Sequence, residues 1–349
     1  MLLLVGGYTV KMSDDAPGKA RGVSAYDFSP KDGRLEYRGF GKTENPSYVL
    51  ADPARAVVYA VRECLHEYDP GVDAFRVERR GPKIVLTHIG EIGLDGDHPC
   101  HLALAERTLV VSAYTSGSVH VLGLRDDGSL GAPLQRIVLD EGKQAPHAHC
   151  AVYDARRARV YVCDLGSDCM RVYDRAGDGR LTERTEWSID FSQGDGPRHA
   201  VLHPSGDFLL VNCEHRGRVA LVDLRGTAPR EVLNVPSLPE RAVNEASGAA
   251  IRLDREGRRV YVSERKYSVV TDLVVDTERP ELRLRDAVPS GGLRPRDILL
   301  SPDGKWLLTA NLKDHTIGVF RVGAGGTLRL NHIVRKVPSP TSLAWMPGI

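Results

Sequence analysis

The sequence predicts an all-β protein, a seven-bladed β-propeller filling residues 1–349 as one domain. Three observations carry that expectation. Short runs of β-branched, aromatic and apolar residues recur between turn signals, and no stretch of about a dozen residues keeps a helical apolar stripe. One strand–turn–strand–turn–strand unit returns with a period of about 50 residues, the size of a propeller blade. The last copy is incomplete, and the strands it lacks stand at the N-terminus.

In chain order, Leu2–Thr9 and Gly22–Phe28 read as two strands, separated by a turn-rich loop at 10–22. The first full unit runs from Asn45 to Pro70, the second from His98 to Leu124 and the third from His147 to Asp174. The clearest copies are 197–224 and 295–322, each with Pro-Arg at the start and a hairpin turn, His-Pro-Ser-Gly or Ser-Pro-Asp-Gly. Between them, 247–275 keeps the Gly turn at Gly257. The segment 229–246, rich in Pro and polar residues, reads as a loop. Ser339–Met346 holds only a first strand, so pairing it with the N-terminal strands closes the ring and removes the open edges of an unclosed array.

Composition narrows the function. With 47 Lys+Arg against 46 Asp+Glu the net charge is +1, so no bulk attraction to nucleic acid or an anionic membrane is expected. The apolar N-terminal run stops at Gly6, too short for a signal h-region or a bilayer span. The 6 cysteines form no C-x-x-C pair and read as small buried hydrophobes in a reducing compartment, which points to the cytoplasm. The sequence leaves the oligomeric state open.

In a propeller the starts of first strands and the ends of second strands gather at the central channel, so polar residues recurring there share one pocket. The starts offer Ser47, His101, His149, Arg198 with His199, and Arg296. The ends offer Arg62 with Glu63, Tyr114, Asp164, Glu214, Arg265 and Asn311. Two arginines can hold a developing oxyanion or a substrate anion through paired hydrogen bonds without losing charge, while a His and a Glu move protons. No Gly-x-Ser-x-Gly elbow suggests a covalent nucleophile.

The phrases Asn45-Pro-Ser-Tyr48, Pro99-Cys-His-Leu102, Tyr114-Thr-Ser-Gly-Ser-Val119, Gly196–Gly206, Pro295–Asn311 and Pro338–Trp345, in that order along almost the whole chain, resemble the lactonase-type 6-phosphogluconolactonase family. That family shares its fold with the fungal 3-carboxy-cis,cis-muconate lactonising enzyme. The resemblance implies a cofactor-independent hydrolase of carbohydrate metabolism that opens an anionic sugar lactone, 6-phosphogluconolactone to 6-phosphogluconate in the pentose phosphate pathway. It implies a catalytic set of His149, Arg198, Glu214 and Arg265, with His149 or Glu214 as the base. Ser47, His101, His199 and Arg296 are expected to bind substrate, Arg296 by anchoring an anion. The chain departs from many relatives at Cys213 and Ala250, where altered specificity is to be sought. The alternatives are a muconate-type isomerase, a hydrolase of another lactone or sugar derivative, and a non-catalytic interaction platform.

Structural readings stand beside these. Arg198 could cap a loop, Glu214 could pair with Arg216 or Arg218 in solvent, and Arg265 belongs to the charged turn Glu264-Arg265-Lys266. His147, His149, His199 and His203 lack a spaced carboxylate as a third ligand, so no metal is expected. Lys143, Asp168 and Arg156-Arg157 read as exposed turn residues, and the basic run 251–262 as a solvated strand face.

Overall fold

The computed structural model describes residues 1–140, 144–239, 242 and 245–349. Six antiparallel sheets of four strands in sequence order follow one another along the chain, one of them extended by the short strand Ile189–Asp190. The seventh sheet orders Pro340–Met346, Leu2–Gly7, Val23–Phe28 and Leu35–Gly41, so the C-terminal strand pairs directly with the N-terminal one, Leu4 opposite Ala344. The first strands of successive blades touch one another all the way round, from Val49–Asp52 through Pro99–Ala105, Ala148–Asp154, Pro197–Leu202, Gly248–Leu253 and Pro295–Leu300 to Pro340–Met346 and back to Val49–Asp52. This is the closed ring the split seventh repeat predicts.

Packing lies between blades. A strand presents alternate residues to its two faces, and each blade face here meets the next blade. The core is accordingly divided among clusters such as Tyr161, Cys163 and Met170 of the third blade against Leu209, Val211 and Cys213 of the fourth. Leu3, Val5 and Phe28 of the seventh meet Trp306, Leu308 and Val319 of the sixth in the same way. Each blade face is buried only because a neighbour covers it.

The outer strands differ most from expectation. The segment 229–246, expected as a loop, contains the strand Arg230–Pro236, paired to Arg218–Asp223 as the outer edge of the fourth blade. Such edge strands are half solvated, so Arg230–Pro236 lacks a continuous apolar run and its flanking prolines dominate the sequence signal. The loop 10–22 has no strand, only one bridge between Ser13 and Ala16. Asp168 is buried, not exposed: its carboxylate accepts the backbone N–H groups of Gly194 at 2.7 Å and Gly196 at 2.8 Å. Arg156 is exposed as expected, whereas Arg157 folds back onto Asp154 at 2.8 Å and is largely covered. Within 251–262, Arg252 is no solvated face residue but donates to Asp297 Oδ1 at 2.9 Å across the blade gap. Lys143 lies outside the described residues.

Every blade enters its first strand by the same device. In each, the first residue of the entry phrase accepts, at its carbonyl, the N–H of the residue that follows the second strand. Examples are Asn45 O from Glu63 at 3.1 Å, His98 O from Tyr114 at 2.9 Å and Gly196 O from Glu214 at 2.8 Å. Ser247 O takes Arg265 at 3.0 Å, Arg294 O takes Leu312 at 3.1 Å, and Ser339 O takes Tyr8 at 3.3 Å. Asn45, His98, Gly196, Arg294 and Ser339 have positive φ, and each precedes a proline that sets the strand off at a sharp angle. The strand register then slips by one residue, between Pro99 and His101, Ala148 and Cys150, Pro197 and His199, and Pro295 and Asp297. These are β-bulges, and they turn the skipped side chain out of the blade.

Trp306 is fully buried between blades, edge-on to Phe28 with centroids 5.7 Å apart, and its Nε1–H donates to Pro30 O at 3.0 Å. W306A is expected to destabilise the protein by about 3–5 kcal/mol in equilibrium urea unfolding. A loss below about 1 kcal/mol would show that the sixth and seventh blades hold together without this contact.

Candidate active site

The bulges decide which residues face the channel. Counting two residues on from each entry residue gives a ring of Ser47, Cys100, His149, Arg198, Ala249, Arg296 and Thr341, one per blade. The residues whose N–H groups close the entry hydrogen bonds form a second ring above it: Tyr8, Glu63, Tyr114, Leu165, Glu214, Arg265 and Leu312. Both rings sit at the same end of the propeller, since a first strand begins where its antiparallel partner ends.

The fourth and fifth blades build the tightest cluster. Arg198 is almost fully buried, and its Nε lies 2.8 Å from Glu214 Oε2. That N–H does not aim at the oxygen, so the contact is a close ion pair and not a hydrogen bond. Arg265 Nη2 meets the other oxygen, Oε1, at 2.5 Å. Arg265 is fixed further by Ser247 O at 3.2 Å from its Nε and Gly248 O at 3.3 Å from its Nη2. Arg198 Nη1 donates to Ala249 O at 2.7 Å, while its Nη2 makes no hydrogen bond to a described residue. Arg198 thus has the carbonyl contact of a capping residue, yet keeps donors in reserve. Glu214 pairs with neither Arg216 nor Arg218, and Arg265 is no solvated turn residue.

Electrostatics follow from that arrangement. Burial raises the Glu214 pKa, but Arg265 and Arg198 together outweigh it and hold the carboxyl below its ordinary value. Burial lowers Arg198 to about 10, helped by the like charge of Arg265 and opposed by Glu214. His149, on the third blade, is pushed well below 6.5 by burial and then by the charges of Arg198 and Arg296. Its imidazole is therefore neutral at neutral pH, beside an ionised carboxylate clamped by two guanidiniums. The ring of His149 stands edge-on to Tyr114 at 5.6 Å and to His199 at 5.2 Å, and Cys100 Sγ lies 4.0 Å from its Nδ1.

Of the eight residues nominated from sequence, His149, Arg198 and Arg296 are ring residues facing the channel, and Glu214 and Arg265 stand above them. Ser47 is the ring residue of the first blade, buried, with its Oγ unpartnered among the described residues. His101 and His199 follow their ring residues by one position, which carries them below the ring. There they form a floor with Tyr48, His101 being 4.3 Å from Tyr48 and 5.4 Å from His199 between centroids. Burial and the charge of Arg198 keep His199 neutral as well.

Other expectations fail for the same reason of register. Asp164 and Asn311 precede the upper-ring residues by one and turn away from the channel. Asp164 accepts His147 N at 2.8 Å and pairs with Arg171 at 3.1 Å, and Asn311 donates to Ser290 O at 3.3 Å. Arg62 likewise points outward, to Asp73 at 2.7 Å and Asp69 at 3.0 Å. Cys213 and Ala250 are fully buried in the cores between blades, so neither reaches the mouth as a specificity position. Tyr8 and Cys100 were not expected at the site, and Glu63 and Tyr114 were placed at strand ends without a role. Aligning the seven entry phrases on their first residue is the signal that would have found them.

His147 stacks on Tyr114 at 4.4 Å, and His203 spends both ring nitrogens on Ser205 Oγ at 2.9 Å and Gly257 O at 3.0 Å. Among the described residues one group, Asp73, His88 and Glu91, is close enough to share a cation. Arg62 Nη1 already occupies Asp73 there at 2.7 Å. A cleft of about 1010 Å³ opens at the opposite end between hairpin turns of the fifth and sixth blades. Its lining mixes Asp254, Arg258, Arg259, Asp276 and Asp303, without a free His or thiol.

Comparison with known proteins agrees in fold and extent. The family described as "Lactonase, 7-bladed beta-propeller" matches residues 2–345. The 6-phosphogluconolactonase of Bacillus subtilis is 28% identical, covering 98% of this chain and 97% of its own. That of Sodalis glossinidius is 30% identical over 79% of this chain and 80% of its own. Among solved structures, the periplasmic gluconolactonase PpgL of Pseudomonas aeruginosa superposes with a TM-score of 0.88 at 25% identity, covering 99% of each chain. The chain belongs to the seven-bladed lactonase β-propeller family.

Proposed function

We propose that this protein hydrolyses a sugar lactone, 6-phosphoglucono-1,5-lactone foremost, to the open-chain acid, and does so without metal or organic cofactor. One observation carries the reading: Arg198, Arg265, Glu214 and His149, from three consecutive blades of a lactonase-family chain, converge on one channel mouth. The names of the relatives support the substrate. The buried, unpaired state of all six cysteines supports a reducing compartment, and we place the activity in the cytoplasm.

Opening a lactone needs water delivered to the carbonyl carbon, donors for the oxyanion and a proton for the ring oxygen. Glu214 is a poor base, because both its oxygens are held by guanidiniums that favour the charged form. The neutral imidazole of His149 takes the proton from water as the oxygen attacks. Arg198, through the N–H groups it does not spend on Ala249 and Glu214, receives the oxyanion. When the tetrahedral intermediate collapses, the C–O bond to the ring oxygen breaks and His149 returns its proton there. Glu214 balances the cations throughout, and Arg265 fixes Glu214.

Acid release from freshly generated lactone, corrected for spontaneous opening, is expected to be accelerated by the protein and unaffected by a chelator; no acceleration removes this substrate. R198M should lower kcat/KM roughly 10²–10³-fold. H149Q should lower it roughly 10²–10⁴-fold.

The pH profile is a separate expectation. Protonation of His149 abolishes the base, so the rate is lost as pH falls through the folded-state pKa, which lies well below 6.5. The kcat/KM of the wild type should therefore stay level from neutral pH down past 6.5 and fall only in stronger acid. A half-maximal rate at or above pH 6.5 would remove His149 from the role of buried base.

A further inference from the structure

We propose that Arg296 reads the phosphate at the far end of the substrate, and that Glu63 and Tyr8 hold it for that purpose. This rests on the lactonase reading above and assigns the phosphorylated lactones as the preferred class.

The three guanidiniums at the mouth are not alike. Arg265 is committed to two backbone carbonyls and to Glu214. Arg198 gives one nitrogen to Ala249 O and one to its contact with Glu214. Arg296 makes no hydrogen bond to any described residue. The carboxylate oxygen nearest to it is Glu63 Oε2, 3.9 Å from its Nη2 and beyond hydrogen-bonding reach. A largely buried guanidinium, with a side chain 19% exposed, offers planar paired donors that a phosphate satisfies bidentately.

Arg296 is also held in a way that suits a receptor. The Tyr8 ring packs against its face, 5.3 Å from guanidinium carbon to centroid, a cation–π contact that fixes position and leaves the N–H edge open. Tyr8 O–H donates to Glu63 Oε1 at 3.0 Å. Burial, foremost, keeps that phenol protonated, and hence a donor. The Glu63 backbone is pinned in turn, its N–H to Asn45 O at 3.1 Å and its C=O from Asn45 Nδ2 at 3.1 Å. Glu63 compensates the charge of Arg296 without occupying its donors.

Position completes the argument. From Arg296 on the sixth blade, the ring passes through Thr341, Ser47 and Cys100 before it reaches His149 on the third. Three small side chains thus separate the unspent guanidinium from the reacting pole on that side of the ring, with Tyr8, Glu63 and Tyr114 standing above them. The substrate would lie across the mouth, phosphate at Arg296 and carbonyl at Arg198.

The test compares kcat/KM for 6-phosphoglucono-1,5-lactone with that for glucono-1,5-lactone. The wild type should prefer the phosphorylated lactone. R296M should cut that preference roughly 10- to 100-fold, the loss appearing in KM, because a charge-assisted contact to the phosphate is removed. Competitive inhibition by 6-phosphogluconate should weaken in parallel, whereas inhibition by gluconate should not. Y8F, which leaves the charge of Arg296 in place but frees Glu63, should lie between wild type and R296M. An unchanged preference in R296M, or a wild type without preference, overturns the proposal while the lactonase reading stands. A wild type that accelerates neither lactone overturns both.

Discussion

The structure depends on one hydrogen-bonded corner, made once per blade. A carbonyl at the entry to the first strand accepts the N–H just past the end of the second, and in every blade but the first a slip in register follows. The bond fixes where the two strands part, and the bulge frees one residue from the alternation that would otherwise bury it between blades. Without the slip in register, Arg198 and Arg296 would turn into apolar cores. With it, each blade donates one side chain to the lower ring and one to the upper ring, and residues far apart in sequence become neighbours.

Ring closure gives this corner its reach. Blade faces are apolar and are covered only by the next blade, so the core clusters follow one another around the ring, and the pairing of Leu2–Gly7 with Pro340–Met346 completes the seventh blade. A rigid toroid can hold several like charges near its axis because no single element has to bend to bring them together. The cost of gathering Arg198, Arg265 and Arg296 is met by Glu214, set between Arg198 and Arg265, and by Glu63, which faces Arg296. The resulting asymmetry is chemical: one carboxylate is saturated by its arginines, and the other leaves its arginine unspent.

Much of the fold was legible from the residues. The period of the repeat and the Pro-Arg and Ser-Pro-Asp-Gly phrases are local signals, and the incomplete last copy required closure through the N-terminus. Outer strands were less legible, as Arg230–Pro236 illustrates, because half-solvated edges carry weak alternation. At the site, Arg198 could be found because it sits in a phrase that resembles a known family, and His149, Glu214 and Arg265 because they stand at strand starts and ends that match that family's set. Glu63 shows only as a strand-end carboxylate and Tyr8 carries no signal, since nothing in their own segments distinguishes them from neighbours.

What the sequence determined by itself is therefore the architecture and the chemical inventory: blade count, closure, and a set of arginines, histidines and carboxylates at strand ends. Which of two adjacent residues faces the channel was decided only in three dimensions. Arg62 and Glu63, Asp164 and Leu165, Cys213 and Glu214 are adjacent pairs whose members point opposite ways. A one-residue shift in register exchanges them, and that register is set by the burial of whole blade faces and by the turns that join their strands, which no single strand end displays by itself.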